Sequence, residues 1–170
     1  EIQSIYLTGQ LGYKNYLFLD ASARNDWSST LGAGNYSFLY PSVSLSFAFT
    51  DAFELDSRVL TFGKLRASFA QAGNDADPYR TKGGYSVQST AFQGQRFATI
   101  TGTVPPTDLK NELSTSIELG TDIRLFNNRV SLDFTYYNSN TTNQILPVNL
   151  SESTGYDALF LNAAEVSNKG

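Results

Sequence analysis

The sequence predicts an all-β protein whose antiparallel strands have the length and patterning of a transmembrane β-barrel segment. Three observations carry this. Apolar and polar residues alternate with a period of two in one stretch after another, the pattern of a strand with two unlike faces. The stretches run to about ten residues, near the ~9–11 that cross a bilayer at a tilt, where soluble strands average ~5–6. Short and long connections follow one another, the sidedness of an outer-membrane barrel.

The first stretch, near 2–11, sets Ile5, Leu7, Gly9 and Leu11 against Tyr6, Thr8 and Gln10. A short link through Gly12-Tyr13-Lys14-Asn15 leads to a second, near 15–25, where Leu17, Leu19, Ala21 and Ala23 oppose Asp20, Ser22 and Arg24. A long connection from Asp26 to about Pro41 precedes the cleanest stretch, near 42–50, with Val43, Leu45, Phe47 and Phe49 alternating mostly with Ser and Thr. Residues 51–61 form a moderate connection, in which Asp51-Ala-Phe-Glu54 could cap one helical turn. The fourth stretch, near 62–72, sets Leu65, Ala67 and Phe69 against Lys64, Arg66 and Ser68. A very long connection runs from Gly73 to about Lys110. The fifth, near 112–126, opposes Ile117, Leu119, Ile123 and Leu125 to Ser116, Glu118, Asp122 and Arg124. Asn127-Asn128 then makes a tight turn, because Asn tolerates the positive φ that such hairpins need. The sixth, near 129–142, opposes Val130, Leu132, Phe134 and Tyr136 to Ser131, Asp133, Thr135 and Tyr137. Residues 143–165 read as a third long loop, with a last strand from about Glu165.

The apolar faces carry no charge in these stretches. The opposite faces carry Asp20, Arg24, Lys64, Arg66, Glu118, Asp122, Arg124 and Asp133. A barrel places them in a wet lumen. A soluble β-sandwich would place the same face in bulk water. Strand length favours the barrel. Tyr16, Phe49, Phe62, Phe126 and Tyr136 lie near strand ends, where aromatic girdles sit.

Composition narrows the chemistry. Charged residues are 16% and aromatic residues 14%, where typical soluble domains are about 25% charged. With no Cys there is no disulfide scaffold or thiolate metal site, and with no His no Ser-His-Asp triad or HExxH motif. A net charge of −4 gives no reason to expect nucleic acid. Gly32-Ala-Gly34 is no nucleotide loop, because no helix pattern follows it. Asn74-Asp-Ala-Asp77 lacks the Gly and the distant Glu of a calcium loop. Glu118 and Asp122 are about 13 Å apart along a strand, too far for a catalytic carboxylate pair. Asn35-Tyr-Ser37, Asn140-Thr-Thr142 and Asn149-Leu-Ser151 read as loop polarity. No cofactor or metal and no enzymatic reaction is expected.

Tyr40-Pro-Ser-Val-Ser-Leu-Ser-Phe-Ala-Phe-Thr50 resembles a strand of the SusC/RagA-type TonB-dependent outer-membrane transporters. So does Phe62-Gly-Lys-Leu-Arg-Ala-Ser-Phe-Ala-Gln-Ala-Gly-Asn74. Leu109-Lys-Asn-Glu112 with Ser116-Ile-Glu-Leu-Gly-Thr-Asp122, then Phe126-Asn-Asn-Arg-Val-Ser-Leu-Asp-Phe-Thr-Tyr-Tyr-Asn138, continue the pattern in family order. Ile145-Leu-Pro147, Ser153-Thr-Gly-Tyr156 and Asn168-Lys-Gly170 close it. The resemblance implies about six to seven strands from the middle-to-late part of a barrel of ~22 strands, with residues 1–170 all barrel and the plug domain and remaining strands elsewhere. It implies a multi-pass protein of the bacterial outer membrane that contacts lipid. It also implies import of oligosaccharide or peptide, a SusD-like surface lipoprotein as lid, and the TonB complex as energy source. A passive porin and a siderophore receptor are the competing barrels.

In such a protein the lumen charges serve plug docking and hydration before ligand. Ligand contacts fall to aromatic and cationic loop residues, because a rigid scaffold presents its binding groups on loops. Tyr79, Tyr85 and Arg96 are the first candidates, with Trp27 and Tyr156 behind them. Phe38, Tyr40 and Phe92 are expected to pack loops.

Overall fold

The structure is a computed structural model and describes residues 1–31, 36–55, 57–91 and 93–170. The wall is one sheet. β1 (Ile2–Tyr13), β2 (Leu17–Ser28), β3 (Ser37–Ala48) and β4 (Leu60–Asn74) pair in sequence order, all antiparallel. The excursion after β4 holds a small hairpin of β5 (Tyr85–Val87) and β6 (Ala98–Ile100), then β7 (Thr103–Val104). β4 pairs next with β8 (Glu112–Leu125), β8 with β9 (Val130–Asn149), and β9 with β10 (Ala158–Lys169). β7 adds a two-residue parallel ladder to the start of β10. A helical turn, α1 (Phe49–Ala52), lies in the β3–β4 connection. Among the described residues only the β5–β6 hairpin stands apart from the wall sheet, so the sandwich alternative, which needs a second facing sheet, fails.

The tight turns follow from residue chemistry. Lys14 and Asn15 take φ of 48° and 60° between β1 and β2. Phe126, Asn127 and Asn128 take 51°, 53° and 64° between β8 and β9. Asn accepts the left-handed region readily, as expected for Asn127-Asn128. Pro41 sits where the β3–β4 pairing, which starts at Ser42, has stopped, a place where a missing donor is tolerated.

Four expectations need correction. The segment 143–165 is not a long loop: β9 continues to Asn149 and β10 starts at Ala158, not near Glu165. The Asn138–Gln144 run is polar on both faces, so alternation fades while the backbone ladder continues past a left-handed Asn143. Trp27 belongs to β2, and Phe38 and Tyr40 to β3, rather than to a loop. The helical turn starts at Phe49, so Asp51 lies inside it, and its N-cap Ala48 makes no side-chain cap. Phe62 pairs with Arg124 on the polar face, away from any lipid girdle. Gly32-Ala-Gly34, Asn35 and Phe92 lie outside the described residues.

The register proves the two faces. Leu11, Leu19, Leu45, Ala67, Leu119 and Tyr136 form one row across six strands. Gly9, Ala21, Val43, Phe69 and Ile117 form the next apolar row. These side chains stand in the open: Leu7 is 76% exposed and Phe134 67%. Among the described residues no large side chain is fully buried. Soluble proteins rarely leave so continuous an apolar face uncovered, whereas a barrel lays it against lipid.

The apolar band also reports tilt. On β1 it ends at Ile5, in the row of Asn25 and Leu39; on β9 it ends at Tyr136, in the row of Leu11. The upper limit thus drops by about six residues over about five strand steps. At the other end, from Tyr13 to Val130, the drop is about four. With ~3.3 Å per residue and ~4.8 Å per step the tilt is about 30–40°, overlapping the ~35–45° of membrane barrels. The eight-residue span from Tyr13 to Ile5 then stands about 22 Å tall, close to the ~25 Å apolar band of such barrels.

At the short-turn end, Tyr13, Tyr16, Phe47 and Phe53 form an edge-to-face chain with centroid spacings of 5.7, 6.2 and 6.1 Å. Phe49 lies against Gly63 so closely that a Cβ would collide with its ring. Thr50 Oγ1 accepts from the Gly63 amide at 3.1 Å, pinning α1 to β4. At the long-loop end, Leu31, Ala76 and Leu109 form a small core against Phe38, Ile145 and Phe160. Asn162 clips the end of the long excursion to the wall: its side-chain amide donates to the Lys110 carbonyl at 2.8 Å, and its side-chain oxygen accepts from the Lys110 amide at 2.9 Å.

Candidate functional site

The polar rows of β1–β4, β8 and β9 form the other face, which bears the grooves of the wall. One groove, about 500 Å³, is lined by Thr8, Gln10, Asp20, Ser22, Ser42 and Ser44 among others. Small hydroxyls dominate the middle of this face because β2, β3, β4 and β8 place Ser at many of its positions. They bond sideways between strands. Ser22 and Ser42 lie 2.7 Å apart. Ser116 donates to Ser139 at 3.0 Å, and Thr141 to Ser114 at 3.2 Å. The result is a hydroxyl ribbon across the wall, the row Thr8, Ser22, Ser42, Ala70, Ser116 and Ser139, bordered by a row that holds Asp20 and Glu118. The sequence shows these serines plainly, but reading for charge and aromatics passes over them.

The eight charged residues expected on this face all stand in its rows. Arg66 reaches diagonally past Gly120 and binds both carboxylate oxygens of Asp133 at 2.7 and 2.8 Å. Gly120 makes room: a Cβ there would sit 3.2 Å from the Arg66 Nε and from Thr135 Oγ1. Arg24 pairs with Asp26 at 2.8 Å and lies over the Tyr40 ring. Arg124 lies 3.5 Å from Asp122 and over Phe62. Lys64 stands in register with Asp122, and Asp122 with Asp133. Asp20 accepts from Ser44 at 3.5 Å. Among the described residues Asp20, Lys64 and Glu118 make no ion pair. Each arginine of these pairs is open to water, and Asp133 is too, while Asp26 and Asp122 are mostly covered; pairs with a solvated partner are worth about 0–1 kcal/mol. They shape the field of the wall more than they hold it together.

The loop candidates separate. Tyr79 is 81% exposed, at a left-handed φ of 66°. Tyr85 opens β5 opposite Ile100, and Arg96 stands exposed just before β6, so the small hairpin carries both. Trp27 lies in the row of Gln3 and Ser37, on the apolar side of β2. Tyr156 is half-buried in the β9–β10 turn. Arg80, next to Tyr79, is engaged twice: it pairs with Asp77 at 2.6 Å and lies 4.0 Å from the Phe160 ring centroid. Phe38 packs under the loops and the Tyr40 hydroxyl accepts from Asn111 at 2.8 Å, the structural roles expected of them. Among the described residues no cluster of acidic side chains could hold a metal ion.

Comparisons with known proteins agree with this geometry. The family described as "TonB dependent receptor-like, beta-barrel" matches residues 1–170. TonB-dependent receptor P26 of Formosa agariphila is 30% identical over 174 residues, covering 100% of this chain and 18% of the relative. TonB-dependent receptor P3 of the same organism is 31% identical over 176 residues, again covering 100% and 18%. The chain therefore spans less than a fifth of the curated relatives it matches. Among solved structures, the RagAB peptide transporter superposes with a TM-score of 0.87 at 25% identity, over 99% of this chain and 19% of that one. The siderophore receptor PirA from Pseudomonas aeruginosa shares the fold, with a TM-score of 0.66 at 18% identity over 99% of this chain and 30% of its own. The curated relatives carry the name of receptors and the RagAB structure that of a transporter. With its whole length matched and its two unlike faces in register, the chain belongs to the TonB dependent receptor-like β-barrel family.

Proposed function

We propose that this chain is a section of the barrel of an outer-membrane importer that takes up oligosaccharides or peptides. Uptake is driven through the TonB complex, and a SusD-like surface lipoprotein covers the barrel. The observation that supports this most is the likeness of the whole chain to the RagAB peptide transporter, at a TM-score of 0.87. The hydroxyl ribbon fits the role: it offers hydrogen bonds to sugar hydroxyls or peptide groups without one strong charge to trap them. Asp20, Arg24, Lys64, Arg66, Glu118, Asp122, Arg124 and Asp133 serve as lumen-facing groups that seat the plug carried by the rest of the protein. Tyr79, Tyr85 and Arg96 are the ligand contacts, held out by the excursion between β4 and β8. Tyr156 is a secondary candidate at the rim, whereas Trp27, on the outward side of β2, faces away from the lumen.

The test is uptake by cells carrying the full-length receptor or lacking its gene, fed defined oligosaccharides, oligopeptides or a ferric siderophore. The expected result is loss of growth on an oligosaccharide or oligopeptide, with lipoprotein co-purifying with the receptor. Loss of siderophore uptake alone would instead favour the siderophore reading, which rests on the PirA fold.

A further inference from the structure

We infer that the free edge of the small β5–β6 hairpin takes an extended oligopeptide as an added strand, so that the imported substrate is a peptide. The inference deepens the importer reading and rests on it. Among the described residues β5 and β6 pair only with each other, and every residue of both is exposed. The Gln88 amide donates to the Phe97 carbonyl at 3.0 Å, and the Thr101 amide to the Gly84 carbonyl at 3.1 Å. In an antiparallel pair, residues that exchange hydrogen bonds alternate with residues that do not. Ala98 and Ile100 therefore turn both N–H and C=O away from β5. Their side chains share a face with Val87 and Tyr85, their partners in register. On that face Tyr85 is 77% exposed, Val87 66% and Ile100 58%. The opposite face is occupied with itself: the Gln88 side chain donates to Thr99 Oγ1 at 3.0 Å.

A bare ladder edge beside an apolar face fits a peptide strand. In an added antiparallel strand, the residues opposite Ala98 and Ile100 exchange backbone hydrogen bonds with them and lay their side chains along the apolar face. An oligosaccharide has no alternating N–H and C=O to match the edge, and aliphatic Val87 and Ile100 offer nothing to its hydroxyls. Charge gives the direction. No Asp or Glu occurs from 78 to 107, while Lys82 and Arg96 make no ion pair among the described residues. Arg96 stands exposed just before Ala98. A strand antiparallel to β6 ends there, which sets its terminal carboxylate beside the guanidinium. Position suits import, because the root of the excursion lies on the lumen side of the wall. The core that holds Ala76 and Leu109 packs against Phe38, and Asn111 donates to the Tyr40 hydroxyl at 2.8 Å. Phe38 and Tyr40 stand in the rows of Asp26 and Arg24, on the polar side of β3.

The experiment uses the full-length receptor, purified from outer membranes in mild detergent. The probe is a dye-labelled hexapeptide of alternating Val and Ser with a free C-terminal carboxylate, read by fluorescence anisotropy. Two N-methylated versions block its amides at even or at odd positions. One of them is expected to bind about tenfold more weakly or worse and the other like the parent, because only alternate amides face β6. Ala98→Pro removes an outward amide without touching a bond to β5, a place where proline is tolerated. It is expected to weaken binding several-fold with heat-modifiable mobility unchanged. Arg96→Gln is expected to weaken binding of the free acid and not of the C-terminal amide. The methylated probes need no variant, so they decide the matter if Ala98→Pro fails to assemble. Equal loss from both methylated probes overturns the inference. So does no binding of the parent peptide, the result if another loop of the receptor already fills the edge. Binding of maltoheptaose without the peptide assigns the substrate to sugars and also overturns it, with the importer reading intact. A ferric siderophore as the only bound probe overturns the importer reading, and the inference with it.

Discussion

Leu45→Arg tests the placement of the wall in lipid. Interpolating the limits of the apolar band between β1 and β9 puts its midplane on β3 at Leu45, about 11 Å from either edge. A cation at the midplane of a barrel's lipid face costs about 2–4 kcal/mol, falling to about 0–1 kcal/mol near the interfaces. Leu39 lies on the same face of β3, in the row of Ile5, about 5 Å beyond the upper edge. Ser44 lies beside Leu45 but faces the lumen groove with Asp20. Three arginine variants of the full-length receptor therefore separate face from depth. Urea unfolding in lipid vesicles, followed by heat-modifiable mobility, should show Leu45→Arg lowering the folding equilibrium about 30- to 1,000-fold. Leu39→Arg and Ser44→Arg should each shift it by about fivefold or less. If Ser44→Arg costs as much as Leu45→Arg, the faces are assigned wrongly. If Leu39→Arg does, the tilt and the band limits are wrong.

Other expectations follow from single contacts. Asp133→Asn should change stability by less than about 1 kcal/mol, because both partners of its pair with Arg66 are well exposed; a larger loss in urea titrations of the full-length receptor would show the pair to be buried there. Gly63→Ala should force Phe49 off β4 and cost about 1–3 kcal/mol, and adding Phe49→Ala should return part of that loss in a double-mutant cycle. Asn162→Ala should release Lys110 and speed limited proteolysis within 75–111, with the rate of cleavage as readout. Replacing Tyr85 or Arg96 by Ala should reduce uptake of the transported ligand while leaving heat-modifiable mobility unchanged.

Much of this molecule is legible along the chain, and particular residues show why. The alternation of Val43, Leu45 and Phe47 with Ser42, Ser44 and Ser46 is visible without coordinates, because a strand's two faces are written as odd and even positions. So is the turn at Asn127-Asn128. The Asn143–Asn149 end of β9 reads as loop for an equally clear reason. Above the lipid, from Asn138 to Gln144, both faces are polar and alternation disappears. Only backbone pairing with β8 and β10 then marks the strand. Trp27 reads as a loop aromatic because the polar Asn25-Asp26 before it breaks the pattern, yet β1 and β3 hold it in the sheet.

By itself, then, the sequence determined the fold class, the composition of each face and the family pattern, since these depend on residue type and period alone. The tertiary structure decided what depends on register between distant strands. It set Arg66 across Gly120 to Asp133, sixty-seven residues away, and lined up serines of separate strands into one ribbon. It also converted the drift of the apolar rows into a tilt, which sets the height of the apolar band along each strand. Register is a pairwise property: a shift of one residue would turn every side chain to the other face, and no single stretch of sequence carries it.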